Sequence, residues 1–169
     1  MKKLILILTC LFMLIAPQAW ADEVGTIVVV SDITMRSGEG YTRVIEYSIG
    51  FGADATGAAF ADVALNNITG SGSLGANSSV SGWWLFKVES FYEVTATPVT
   101  ADSDLYLWSY KSDGLDILGG NGANKVDDNT NNTIYPATST QPLTGSELID
   151  IDNSAAQSAT HIIRLHLYK

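Results

Sequence analysis

Acidic side chains are the first candidates for chemistry in this chain. Four aspartate pairs lie close in sequence: Asp102/Asp104, Asp113/Asp116, Asp127/Asp128 and Asp150/Asp152. Two carboxylates facing each other across a cleft can hydrolyse a glycosidic bond. Beside a turn, the same residue type caps and solvates the backbone instead, and most of these aspartates neighbour Ser, Gly or Asn. A hydrolase built on an Asp pair therefore ranks third among the readings, and the expectation is a protein that is not an enzyme. Calcium is the ion such residues suit, because it prefers several oxygen ligands. The segment "GGNGANKVD" (119–127) comes close to the calcium-binding nonapeptide G-G-x-G-x-D-x-U-x. Asn124 stands where that pattern has its aspartate, Lys125 where it has an apolar residue, and there is a single copy. A looser calcium site would draw on Asp127, Asp128 and Asn129 with Asp150 or Asp152. Apart from that weak candidate, no metal or cofactor is expected.

The other reactive side chains are few. His161 and His166 are five apart, an odd spacing that sends them to opposite faces of a strand, where they cannot share a metal. Both are expected at a surface or edge. No serine sits in a G-x-S-x-G elbow and no H-E-x-x-H occurs. The aromatic residues offer a binding surface instead. Trp83 and Trp84 are adjacent, so one faces inward and one outward on a regular strand. Tyr106, Trp108 and Tyr110 share one face of the next strand, which is either core or an exposed platform for a sugar ring or a protein. Trp83, Trp84, Tyr106 and Trp108 are the candidate ligand or partner contacts.

The elements that must position these residues read as strands. Period-2 alternation with β-branched and aromatic residues recurs at 26–35, 41–51, 83–94 and 103–110, and the last strand falls at 159–169. Shorter strands are expected at 132–136 and 146–152, and 115–118 is expected to pair back across the "KSDG" turn. Residues 58–68 read as a strand or a short helix, and 69–82 as a Gly/Ser-rich loop. The pattern predicts one antiparallel β-sandwich of about eight strands, jelly-roll or immunoglobulin-like. The last strand closes the sheet or pairs with a neighbouring subunit, somewhat as in donor-strand pilins.

Residues 1–21 are expected to be removed. Lys2 and Lys3 precede the apolar run "LILILTCLFMLIA", Pro17 interrupts it, and "AWA" follows as a cleavage pattern. The run is shorter than the roughly 20 residues that span a bilayer, so no stable membrane insertion is expected after cleavage. The mature domain is then 22–169, exported to periplasm, cell surface or medium. Cys10 is the only cysteine, so the mature domain has no disulfide and no thiol nucleophile. Acidic residues number 18 against nine basic ones, two of them in the leader. That balance argues against a nucleic-acid partner, which needs a basic surface.

The half from residue 82 onward carries a further pattern. Asp104 to Trp108 form a strand. Gly114, Asp116, Leu118, Gly119, Gly120, Gly122 and Asn124 follow as G-x-D-x-L-G-G-x-G-x-N. Pro142, Gly145, Leu148, Asn153, Ile163, Leu165 and Tyr168 complete it. This resembles a family of small β-rich proteins found among phage and prophage structural genes. The resemblance implies a virion-like assembly module and supplies no catalytic residue. The leader shifts that expectation toward a bacterial exported version. The leading functional expectation is thus an exported structural or assembly module, with self-association or a protein partner. The alternative is a carbohydrate- or surface-partner-binding module.

Overall fold

The computed structural model describes residues 26–50, 64–68, 70, 79–92, 103–109, 114–137, 142–152 and 159–169. The leader, Asp102, Tyr110, Asp113 and Asn153 lie outside the described residues. The protein is all-β, as its alternation predicts. Among the described residues the one helical element is a 3-10 turn at Leu65–Asn67, and no helix is long and apolar enough to cross a membrane.

The described residues form seven strands: β1 (Thr26–Ser37), β2 (Gly40–Gly50), β3 (Trp84–Tyr92), β4 (Asp104–Trp108), β5 (Asn132–Ile134), β6 (Leu148–Asp152) and β7 (Thr160–Tyr168). Five form an antiparallel sheet in the order β1-β2-β7-β3-β5, and β4 pairs with β6 in a second, smaller sheet. β1 and β2 close into a hairpin over Gly38-Glu39, with Ser37 opposite Gly40. Gly38 has φ 62°, a conformation that tight hairpins need and side chains resist.

Period 2 decides the faces. On β2, residues 43, 45, 47 and 49 are buried while their neighbours are half-buried; on β7 the same holds for 161, 163, 165 and 167. Of these, Ile45, Tyr47, Ile49, Ile163, Leu165 and Leu167 join Leu105 and Leu107 of β4 and Ile149 and Ile151 of β6 in one core cluster. Val88, Ile163 and Leu165 of the large sheet meet Leu105, Leu107 and Ile149 of the small one across a space too small for water. Packing of this kind supplies most of the stability of a chain without disulfides.

Three expectations are corrected. The last strand, β7, lies between β2 and β3, so it is not an edge available to a neighbour; the edges of the large sheet are β1 and β5. Residues 115–118 do not form a strand. Only a bridge between Trp108 and Asp116 remains, because the Asp116 side chain competes for the amides that a ladder would use. Nor are both histidines at the surface, since His161 is fully buried. Arg43 is the unexpected member of the inner face. It is 2 % exposed and donates to both Asp32 carboxylate oxygens at 2.8 and 2.6 Å and to the Ser79 carbonyl at 2.8 Å. A buried charge is tolerable only with such partners.

Candidate functional site

The glycine-rich stretch at 114–124 carries the densest motif in the sequence. Asp116 organises it. One carboxylate oxygen accepts from the amides of Leu107 (3.2 Å) and Leu118 (3.0 Å), and the other from Gly120 (2.8 Å). Leu118 is fully buried and plugs the core. At Gly122 a Cβ would overlap the Leu105 carbonyl oxygen, and the Leu105 amide donates to the Gly122 carbonyl at 2.9 Å. Asn124 is the one non-glycine described residue at positive φ, 52°, and its amide donates to Asp104 at 2.7 Å. Asp116, Gly122 and Asn124 thus each have a backbone role, and Leu118 a core one. Glu147, 3 % exposed, works the same way at a second turn, accepting from Thr144 and Gly145 amides at 2.6 and 2.7 Å.

The calcium candidates do not converge. Among the described residues no three His, Cys, Asp or Glu side chains gather to hold an ion. Asp127 accepts from the Asn129 amide at 3.4 Å. Asp150 is buried on β6, away from a turn, and accepts from the Trp108 indole at 3.0 Å. The register sets Asp152 opposite Asp104.

The four aromatic candidates fall in three places, with Tyr106 and Trp108 together. Trp83 packs against the core beneath the Arg43 guanidinium, 5.6 Å from its ring centre. Trp84 faces the opposite side and stacks on Tyr168, with centroids 6.3 Å apart. One indole inward and one outward is what adjacency on a strand predicts. Tyr106 and Trp108 stack closely, 4.9 Å apart at 11°, on the face of the small sheet turned away from the Leu105 and Leu107 core. They are half-buried.

A surface absent from the sequence reading is the outer face of the five-stranded sheet. Met35, Thr42, Val44, Phe86, His166 and Tyr168 line a groove of about 530 Å³ there. Phe86 is 55 % exposed because the β3–β7 register shifts between Leu85 and Lys87. Such a bulge re-aims a side chain, and here it sets Phe86 edge-on to exposed Tyr135 at 6.1 Å. Ile33 and Met35 of β1 are also more than half exposed. Charges flank this apolar strip. Arg164 bonds Glu46 and Glu89, and His166 bonds Glu89 at 2.7 Å. Burial works to raise the Glu89 carboxyl, but hydrogen bonds and charge from Lys87 and His166 outweigh it and hold it at about 2.

One buried pair has the form of a nucleophile and its base. Ser90 Oγ lies 2.7 Å from His161 Nε2. Activation of a serine needs this contact, an oriented histidine and access to substrate. Both residues are fully buried, and His161 Nδ1 has no hydrogen-bond partner among the described residues. Desolvation pushes His161 down to about 4, against the charge of Asp127. The ring is neutral at physiological pH and belongs to the core. No sequence motif could have found it, since strand pairing alone joins positions 71 residues apart. No protein-family model matches the chain, and neither the curated proteins nor the solved structures include a significant match.

Proposed function

We propose that this protein is an exported, non-enzymatic structural or assembly module that associates through its five-stranded sheet. In this reading residues 1–21 are a removed leader, and the two sheets are the layers of a sandwich of jelly-roll or immunoglobulin-like type. The observation that carries it is the apolar strip on the outer face and β1 edge: Ile33, Met35, Phe86, Tyr135 and Tyr168 are all exposed. Contiguous exposed apolar surface on a chain this acidic is the usual mark of an interaction site. The likeness to phage structural proteins points the same way. Size-exclusion chromatography with light scattering tests it. Concentration-dependent association is expected. A strict monomer at the highest reachable concentration, with no partner retained from the cell envelope, would count decisively against the reading.

A carbohydrate-binding reading has one observation in its favour. Trp84 and Tyr168 lie near-parallel, 23° apart, beside the groove, and aromatic faces next to polar groups suit a sugar ring. A glycan array probed with the protein and its Trp84→Ala variant decides. Absence of binding, or binding indifferent to the substitution, removes this reading.

A further inference from the structure

We infer that the open edge of β1 pairs antiparallel with β1 of a second copy, with Thr34 opposite Thr34, to make a two-fold dimer with a continuous ten-stranded sheet. This rests on the assembly reading and names its partner.

The backbone geometry sets which groups are offered. Tyr41 exchanges both of its main-chain hydrogen bonds with Lys169, at 2.8 and 2.9 Å, so its amide faces β7 and away from β1. Tyr41 stands opposite Arg36. That pair is therefore a non-hydrogen-bonded one, and the N–H and C=O of Arg36 face the free edge. Antiparallel ladders alternate, so Thr34 and Asp32 face the same way. No hydrogen bond among the described residues engages those groups. Toward the start of β1, Val29 is bridged by Gly70, which leaves the open edge at 31–37. Residues 33–36 are exposed there. An unpaired edge of this length is a template for another strand.

The side chains then choose the partner. Residues 31–37 read S-D-I-T-M-R-S, which is the same chemical series in both directions about Thr34. Set antiparallel on itself, the segment places Asp32 against Arg36, Ile33 against Met35 and Ser31 against Ser37. Opposite charges facing across strands stabilise and like charges destabilise. Registers centred on Asp32 or Arg36 would put like charges face to face; centring on Ile33 or Met35 leaves both charges unmatched. Only the Thr34 register satisfies both. It also makes Thr34, and each Asp32–Arg36 pair, a hydrogen-bonded pair, as the alternation requires. Asp32 already accepts from Arg43, so Arg36 of the second copy would complete a three-member charge group. Ile33 stands opposite Val44, and Met35 opposite Thr42. The dimer would therefore carry the apolar strip of one outer face into that of the other. An interface in which each patch meets itself is the commonest solution for a homodimer.

The test uses the full chain carrying Cys10→Ser, so that an introduced thiol is the only one. Cα atoms in a hydrogen-bonded antiparallel pair lie about 5.5 Å apart, within disulfide reach. Thr34→Cys is expected to form a disulfide dimer under mild oxidation, while Asp32→Cys and Arg36→Cys each fail alone and cross-link only when mixed. Thr34→Pro is the second variant. Its lost N–H faces the free edge, so the fold is retained, and the association constant is expected to fall about tenfold or more. If Thr34→Cys cross-links no better than Thr133→Cys on β5, or if Thr34→Pro associates as the parent does, the inference is overturned. Should the protein still associate in either case, the broader assembly reading survives; a strict monomer removes both.

Discussion

The corner at residues 114–124 and the outer face of the five-stranded sheet handle their polar and apolar groups in opposite ways. In the corner, Asp116, Asp104 and the glycines turn nearly every distinctive side chain or missing side chain toward the local backbone. On the outer face and β1 edge, large apolar side chains point to solvent, and the main-chain groups of 32, 34 and 36 that face away from β2 have no partner among the described residues. The difference teaches that motif density and interaction capacity are separable. The stretch richest in recognisable pattern is occupied with its own folding, whereas the exposed apolar surface sits on strands that look ordinary in sequence.

The contrast can be broken by substitution. Gly122→Ala tests the corner most severely. The new methyl must displace the Leu105 carbonyl and also crowds the Leu118 side chain, and a loss of about 4 kcal/mol is expected. Denaturant unfolding measures it; a loss under about 1 kcal/mol would mean the corner yields easily and its close approach is unimportant.

The interior beneath the outer face should respond to pH. His161 is pushed down to about 4, so the unfolded chain binds its proton more readily than the folded one. Stability is then fully present above the ordinary histidine value near 6.5, falls as pH drops from there to about 4, and is flat below as far as this group is concerned. The full effect is about 3 kcal/mol. Melting from pH 7 to pH 4 should follow this slope, and His161→Leu should flatten it. Glu89, on the outer face, acts in a lower window. Its stabilisation is present above the ordinary glutamate value of 4.5 and is lost as pH falls toward about 2. Lys87→Met should shrink that lower window and leave the upper one alone.

Asp116→Ala comes next, with an expected cost of about 2–3 kcal/mol from three orphaned amides. A change in melting temperature indistinguishable from an Asp→Ala substitution at exposed sites would refute the organising role assigned to this carboxylate. The smallest stability effect belongs to the outer face. Phe86→Ser should alter unfolding by less than about 0.5 kcal/mol, yet weaken association measured by light scattering. If Phe86→Ser instead destabilised the monomer strongly, the bulge would be a folding element like the corner, and the contrast would collapse.

Much of the fold is legible from residue order. The alternation at 41–50 and 160–168 identifies β2, β7 and the apolar residues each buries, though not Arg43 or His161. "SGEG" marks the hairpin, and the adjacent tryptophans divide as adjacency requires. Other features are not legible. The "WLFKVE" segment reads as plain alternation, and nothing local announces the bulge that exposes Phe86. Arg43 looks like a solvated charge until the hairpin register brings Asp32 within reach. Leu115–Leu118 read as half a hairpin, because residue types alone do not reveal that Asp116 captures three amides. The aromatic candidates form no single surface: Tyr106 and Trp108 stack together on the small sheet, while Trp84 stacks on Tyr168 through the pairing of β3 with β7.

By itself, then, the sequence determined the all-β character, the inward set of the long strands, the tight turn at Gly38 and the absence of any cysteine after residue 10. These follow from period, turn chemistry and composition, which act over a few residues. The tertiary structure alone decided that β7 lies inside the large sheet, that Ser90 meets His161, that the calcium candidates gather into no cluster among the described residues, and that β1 stands at the end of the described five-stranded order. Each of those depends on which distant strands pair and in what register. That choice is made by the burial of a whole face at once, and no short stretch of the chain encodes it.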